Sequence, residues 1–168
     1  SVDLENGYSA EPAGAAQAIA RAAEAGAVGG SIEDFDPEGR IYEVEHATER
    51  VAAAVEAARA LDFPFTLTGR AENHIRGNPD LADTIARLKA YADAGADCLY
   101  APGIHTREQI DAVVAAVKPK PVNLLLGAAT DWTVADVAAM GVRRISVGGG
   151  LARAAWAGFL RAARGLAQ

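Results

Sequence analysis

Ala94-Gly95-Ala96-Asp97-Cys98-Leu99-Tyr100-Ala101 sets the end of an Ala-rich segment against a glycine and then a short apolar run. The same phrase recurs as Ala25-Gly26-Ala27-Val28 and as Met140-Gly141-Val142-Arg143. A glycine just past a helix supplies the left-handed C-cap, and the run that follows enters a sheet. Each phrase is therefore a helix-to-strand junction. Working outward from these junctions and from the proline-led runs, strands are predicted over residues 2–4, 28–33, 65–70, 98–101, 122–126 and 144–147. Helical stripes lie between them. Leu81, Ile85, Leu88 and Ala92 keep a 3.6-residue spacing, preceded by Asn78-Pro79-Asp80 as cap, N1 proline and acidic first turn. Ile110, Val113, Val114 and Val117 form a second stripe, and Val51, Val55 and Ala58 a third. Strands alternating with helices, and strands that are near-continuously apolar, predict a parallel sheet covered by helices.

The chain has 168 residues, 51% of them hydrophobic, enough for one well-filled core, and is read as a single domain over 1–168. Acidic residues outnumber basic ones, 22 to 16, and no Lys/Arg cluster stands out, which argues against nucleic acid or an anionic membrane as partner. A small molecule is the expected partner. The lone cysteine, Cys98, excludes an internal disulfide and fits a reducing cytoplasm. No apolar run approaches the roughly 18 residues that span a bilayer, and no signal peptide is recognised.

Six β/α units leave two architectures open, a doubly wound open sheet or most of an eight-unit (β/α)8 TIM-type barrel without its first two units. Asp3, Glu5, Glu33, Arg70 and Asn123 all fall at or near the C-terminal ends of predicted strands. Barrels keep their sites on that face, whereas a single switch-point crevice draws on fewer strands. The barrel is therefore expected, with about six of its units in this chain. The sequence also opens directly on a strand without a polar lead-in, and the expectation is that earlier units are missing.

Asp3 and Glu5 are two apart where an apolar strand meets a Gly turn, and alternation would put them on one side of the strand. Two like charges so placed repel unless a cation lies between them, which suggests a hard divalent ion. A solvated turn is the competing reading. Glu33 closes the apolar, glycine-rich strand Gly29-Gly30-Ser31-Ile32-Glu33, and on a neighbouring strand it would complete a carboxylate trio; alternatively Glu33 and Asp34 begin a polar loop. Arg70 presents a planar guanidinium at a strand end, suited to bidentate binding of an anion or to an internal ion pair with Glu72 or a nearby carboxylate. Asn123 places an amide inside an apolar strand, where a bound oxo acid or the backbone must satisfy it. His74 and His105 occupy predicted loops on the same face, as proton donors or solvated loop residues. Gly148-Gly149-Gly150 is either a tight turn or a backbone approach to an anion, and Cys98 is expected to be buried.

These residues carry a resemblance. Val2-Asp3-Leu4-Glu5-Asn6-Gly7-Tyr8 is similar to the D-x-D-x-G-[YF]-G segment of the isocitrate lyase and phosphoenolpyruvate mutase superfamily. Gly30-Ser31-Ile32-Glu33-Asp34 resembles its G-x-x-I-E-D strand, and Thr68-Gly69-Arg70-Ala71-Glu72-Asn73 its A-R-x-[ED]-A/N segment. Ala94-Gly95-Ala96-Asp97 and Gly141-Val142-Arg143-Arg144-Ile145-Ser146 continue the match in the family's order. The resemblance implies a modified barrel binding Mg²⁺, or Mn²⁺, through Asp3, Glu5 and Glu33. It implies a 2-oxo or 2-hydroxy acid substrate gripped by Arg70, with Arg70 and Glu33 carrying the chemistry and Asn123 binding substrate. C–C cleavage or decarboxylation next to a carboxylate is the implied reaction, with phosphonopyruvate-type P–C chemistry or a non-catalytic carboxylate-binding barrel as alternatives. It further implies a homo-oligomer, dimer or tetramer, in which the C-terminal helix bearing Trp156, Phe159 and Leu160 packs on a neighbour.

The departures are as specific. The C–C lyases of the superfamily carry a K-[KR]-C-G-H loop after the E-D strand, but here Phe35-Asp36-Pro37-Glu38-Gly39-Arg40-Ile41-Tyr42-Glu43 has neither cysteine nor lysine. Ala101 stands where the mutase has a histidine, and Glu5 where the metal's second aspartate is usual. A classical isocitrate or methylisocitrate lyase and a true mutase are both disfavoured.

Overall fold

The computed structural model describes residues 1–127 and 130–167. The strands are β1 (Val2–Asp3), β2 (Gly29–Glu33), β3 (Thr66–Arg70), β4 (Cys98–Tyr100), β5 (Val122–Leu125) and β6 (Arg144–Ser146). The helices that follow them are α1 (Pro12–Glu24), α2 (Val44–Arg59), α3 (Leu81–Asp93), α4 (Arg107–Val117), α5 (Val134–Ala139) and α6 (Gly150–Leu166). The strands lie in one parallel sheet in the order β1-β2-β3-β4-β5-β6. A doubly wound sheet reverses its order at a switch point, and this one does not. It curls instead: Arg144 of β6 donates to the Ser1 hydroxyl ahead of β1 at 3.2 Å. The fold is thus a (β/α) half-barrel, six units of a TIM-type wall.

Strand alternation sorts the side chains into two populations. On the convex side Ile32, Leu67, Leu99, Val122 and Leu124 are buried under the helices. Each such side chain contributes roughly 1.5–3 kcal/mol. Gly69 belongs to this face, and a Cβ there would come within 3.0 Å of the Tyr91 Cβ, so the glycine is what lets α3 sit down on β3. On the concave side the register aligns Glu33, Arg70, Tyr100, Asn123 and Arg144 in one row across β2 to β6. A polar row across five parallel strands makes the lumen hydrophilic, and the core lies between sheet and helices.

Local signals account for the helix ends. Thr106 and Gln109 form a capping box at α4, and Ile110, Val113, Val114 and Val117 are all buried as their spacing requires. At α3 the expectation is corrected. Asp80 is the N-cap, accepting from the N–H groups of Ala82 and Asp83, so Pro79 precedes the cap rather than occupying N1. The buried face of α3 is also rotated from the predicted stripe: Thr84, Arg87, Leu88 and Tyr91 face inward while Leu81, Ile85 and Ala92 flank them. Polar groups outcompete apolar ones there because they meet a buried carboxylate, described below.

Cys98 is buried, as expected. No helix among the described residues is long and apolar enough to cross a membrane. None of the described side chains of α6 is buried: Trp156 and Phe159 are 63% and 62% exposed, packed edge-to-face on each other at 5.6 Å.

Candidate functional site

The C-terminal ends of β1, β2 and β3 and the loops beyond them enclose a hollow of about 250 Å³ lined by Asp3, Glu5, Glu33, Phe35, Arg70 and Arg76, among others. Asp3 and Glu5 do not reach it by the strand alternation expected of them. β1 ends at Asp3, whose carboxylate accepts from the Glu5 N–H at 3.1 Å. Glu5 then takes a left-handed φ of +49° and the Gly7 N–H returns to the Leu4 carbonyl. The pair shares a hollow because the chain turns, not because it stays extended. The turn is tied to β2, where the Glu33 N–H donates to the Glu5 carbonyl at 2.9 Å.

Arg70 is the centre of the charge arrangement. Its Nη1 lies 3.0 Å from Asp3 and 3.2 Å from Glu33, and its Nε is paired with Glu72. The guanidinium stands 5.2 Å from the Tyr100 ring centroid. These carboxylates raise the pKa of Arg70 against the opposing effect of burial, so it is charged at all working pH. Arg76 reinforces the cluster, with its Nε 2.8 Å from Glu72, its Nη2 3.9 Å from Glu33 and its guanidinium 3.9 Å from the Phe35 centroid. Glu33 responds in the opposite sense. Burial, against the pull of Arg70 and with the help of Glu72 and Asp3, pushes its carboxyl from 4.5 up to about 7.

Among the described residues, no three His, Cys, Asp or Glu side chains are already gathered at metal-ligand spacing. Arg70 bridges Asp3 and Glu33, and the exposed Glu5 stands apart from that bridge. The donor set nonetheless fits Mg²⁺ or Mn²⁺: three hard carboxylates face one small open hollow. One of them, Glu33, is destabilised as an anion by burial, and by the Glu72 and Asp3 carboxylates beyond what Arg70 and Arg76 offset.

Behind the hollow lies a supporting layer that the sequence reading did not find. Asp34, expected at most to begin a polar loop, is buried and accepts from the Glu72 N–H at 2.8 Å, the Tyr91 hydroxyl at 2.5 Å and Arg87 Nη1 at 3.2 Å. Arg87 also donates to the Tyr42 carbonyl at 2.8 Å, which fastens the far end of the loop after β2 to α3. Burial raises the Asp34 pKa while the Tyr91, Glu72 and Arg87 bonds oppose the rise. Arg50 of α2 is wholly buried and donates to the carbonyls of Asn6, Ser9, Ala10 and Glu33. Its signal was legible: an arginine adjoining Ala47, Val51, Ala54 and Ala58 on the core stripe of α2.

The remaining expected residues divide. Asn123 is wholly buried, its Nδ2 donating to the Ser146 hydroxyl at 2.9 Å and its Oδ1 without a hydrogen-bond partner among the described residues. It does not line the acidic hollow. His74 is not a solvated loop residue: it is buried, its Nδ1 likewise lacks a partner, and burial lowers its pKa. His105 is exposed. Gly148 opens the last turn with φ +49°, and Gly149 is the N-cap of α6.

Fold and site together define a class: a (β/α) barrel wall with carboxylates and an arginine at the C-terminal ends of its leading strands. The chain belongs to the phosphoenolpyruvate phosphomutase (PEP mutase) family, whose pattern it matches over residues 1–167. It is 36% identical over 129 residues to an oxaloacetate decarboxylase of Paraburkholderia xenovorans LB400, covering 72% of this chain and 40% of that protein. A provisionally assigned lyase/mutase from Burkholderia cenocepacia J2315 superposes with a TM-score of 0.95 at 55% identity, over 99% of this chain and 60% of that one. A phosphonopyruvate hydrolase solved with oxalate and Mg²⁺ superposes with a TM-score of 0.79 at 26% identity, over 95% of this chain and 57% of that one. The chain spans about half the length of the curated relatives it matches.

Proposed function

We propose that this chain carries the metal- and anion-binding face of an enzyme that acts on a small 2-oxo or 2-hydroxy carboxylic acid by C–C cleavage or decarboxylation. The observation that carries this reading is the convergence of Asp3, Glu33 and Arg70, from three consecutive strands, with Glu5 on the rim of the same hollow. Support comes from the relatives, among them an oxaloacetate decarboxylase and a hydrolase holding oxalate and Mg²⁺.

Asp3, Glu5 and Glu33 would hold Mg²⁺ or Mn²⁺, which supplies Lewis-acid stabilisation of the negative charge developing on the oxo-acid oxygens. The other roles fall to the chain itself. Arg70, held at its Nε by Glu72, presents its outer nitrogens to an anionic group and fixes its orientation. Asp34 sets the Glu72 backbone and Arg50 sets the Glu33 carbonyl, so both working side chains are positioned from behind. Tyr100 closes the lumen side of Arg70 with an aromatic face. A homo-oligomer formed through the apolar face of α6 is part of the same reading, and a monomeric mass by sedimentation of the full-length protein would remove it.

Mg²⁺-dependent pyruvate release from oxaloacetate or a malate-type acid, followed with lactate dehydrogenase and NADH, is the direct test. Asp3→Ala should abolish it. Binding of 2-oxo acids with no turnover across a panel would favour the carboxylate-binding module. The loop Phe35 to Glu43, with no cysteine, lysine or histidine, is the feature that keeps that second reading in play.

A further inference from the structure

The turn that follows β3 carries part of the charged rim of the acidic hollow. Glu72 pairs with Arg70 and Arg76, and the Ile75 and Arg76 N–H groups return to the Glu72 carbonyl at 3.1 and 3.0 Å. His74 sits in the middle of this turn, buried, and is not among the residues that line the hollow. It meets the next loop instead. A Cβ on Gly103, in the loop after β4, would come within 3.2 Å of the Ile75 nitrogen and 3.3 Å of His74 Cδ2. The two segments are thus in close contact, and a hydrogen bond joins them to α4: Gln109 Nε2 lies 3.4 Å from His74 Nε2.

The polarity of that bond is fixed by the cap of α4. Gln109 Oε1 accepts from the N–H groups of His105 and Thr106 at 3.0 and 3.1 Å, within the capping box. Backbone N–H groups only donate, so the amide oxygen must face them and the amide NH₂ must face His74. His74 Nε2 is therefore the acceptor, the ring is neutral, and its one proton is on Nδ1. That Nδ1 is buried and has no hydrogen-bond partner among the described residues. A proton added at Nε2 would set an N–H against the Gln109 NH₂, donor against donor, on a ring whose other N–H is already unsatisfied. Burial and repulsion by His105 hold the imidazole below its ordinary pKa. Glu72 and Arg76, the charged groups of its own turn, are engaged with Arg70, Glu33 and each other. Arg107, Glu108 and Asp111 on α4 are exposed.

We propose that His74 is a positioning residue that works as a pH-sensitive latch: as a neutral imidazole it ties the Glu72–Arg76 turn to the start of α4, and uptake of a proton at Nε2 unties it. The latch is closed above the titration of His74 and opens as pH falls through it. Opening frees the turn that holds Arg76 beside Glu33 and against Phe35, so this part of the rim is ordered only while His74 is neutral. The latch follows from the hydrogen-bond geometry; its consequence for a substrate rests on the reading of the acidic hollow as the metal and oxo-acid site.

The test uses the metal-free full chain with isotope-labelled histidine, His46→Gln and His105→Gln assigning the His74 resonance by elimination. Long-range proton–nitrogen correlation spectra should show the Nδ1–H tautomer at about pH 7.5, and a midpoint below the ordinary imidazole value of about 6.5. Hydrogen exchange at the Ile75 and Arg76 amides, corrected for intrinsic rate, should lose about tenfold or more of its protection between about pH 7.5 and about pH 5. Gln109→Glu keeps the capping box and offers the protonated ring a carboxylate. It should raise the His74 midpoint by about one unit or more and preserve the protection at about pH 5, while leaving Glu33 as it is. Equal loss of protection in both proteins, protection that never changes with pH, or an Nε2–H tautomer in the unmodified protein overturns the latch. Failure of oxalate to bind the unmodified protein in Mg²⁺ at about pH 7.5 overturns the reading of the acidic hollow instead.

Discussion

Arg50→Met is the substitution that most directly probes how the site is held. The guanidinium of Arg50 is wholly buried, lies 4.6 Å from the Tyr42 ring centroid and donates to four carbonyls: Asn6, Ser9, Ala10 and Glu33. Methionine fills much of the volume and removes every donor. Charge-assisted bonds are worth about 1.5–3 kcal/mol each, but the sum overstates the loss. Ala10 is exposed and Ser9 is part-buried, so water replaces their bonds, and removing a buried cation relieves its desolvation. The two bonds to Asn6 and Glu33 lie wholly inside, and their loss sets the net effect at about 2–4 kcal/mol. That is a large share of the roughly 5–15 kcal/mol typical of a domain. Urea unfolding followed by far-UV circular dichroism reads this directly, and the m-value should not change. Metal binding should weaken as well, because Glu33 and the turn carrying Glu5 lose their common anchor. A loss below about 1 kcal/mol with unaltered Mg²⁺ affinity would show that the four carbonyls are satisfied without Arg50, and the positioning argument would be refuted.

Glu33 links the metal to pH. In the metal-free protein its carboxyl titrates near about 7 against 4.5 when unperturbed, so the folded state holds a proton that the unfolded state has released. Metal-free stability should therefore fall as pH rises from 4.5 through about 7. Mg²⁺ needs the carboxylate, so its apparent affinity should drop about tenfold per pH unit below that point; calorimetry at three pH values checks this, and a flat profile would contradict it. Asp34→Asn leaves Arg87 short of a charge partner and weakens the bonds from Tyr91 and the Glu72 N–H; a loss of about 2–4 kcal/mol is expected in urea unfolding. Gly7→Ala should cost about 1–3 kcal/mol, since Gly7 has φ +76° and a Cβ would meet the Ala15 Cα at 2.9 Å; an unchanged melting temperature would mean the turn relaxes.

Strand ends were read to within one residue wherever a glycine C-cap or a proline preceded them. Residues 98–101, for example, became Cys98–Tyr100, and 28–33 became Gly29–Glu33. Such junctions are local, set by backbone preferences that a few residues carry by themselves. The inward orientation of Arg87 and Tyr91 was not read, because periodicity of apolar residues places a helix face only to within a residue or two. Arg87 and Tyr91 turn inward because Asp34 waits there, and that aspartate lies just past the end of β2, more than fifty residues earlier.

The amino-acid sequence by itself determined the alternation of strands and helices, the order of the units and the placement of Asp3, Glu33 and Arg70 at strand ends. All of these follow from side-chain periodicity and helix caps. Only the tertiary structure decided which charges meet. Curling the sheet brings Asp3 and Glu33 onto Arg70. Coulomb attraction and desolvation depend on distance through space, and distances across six strands are set by how the sheet closes rather than by any stretch of chain.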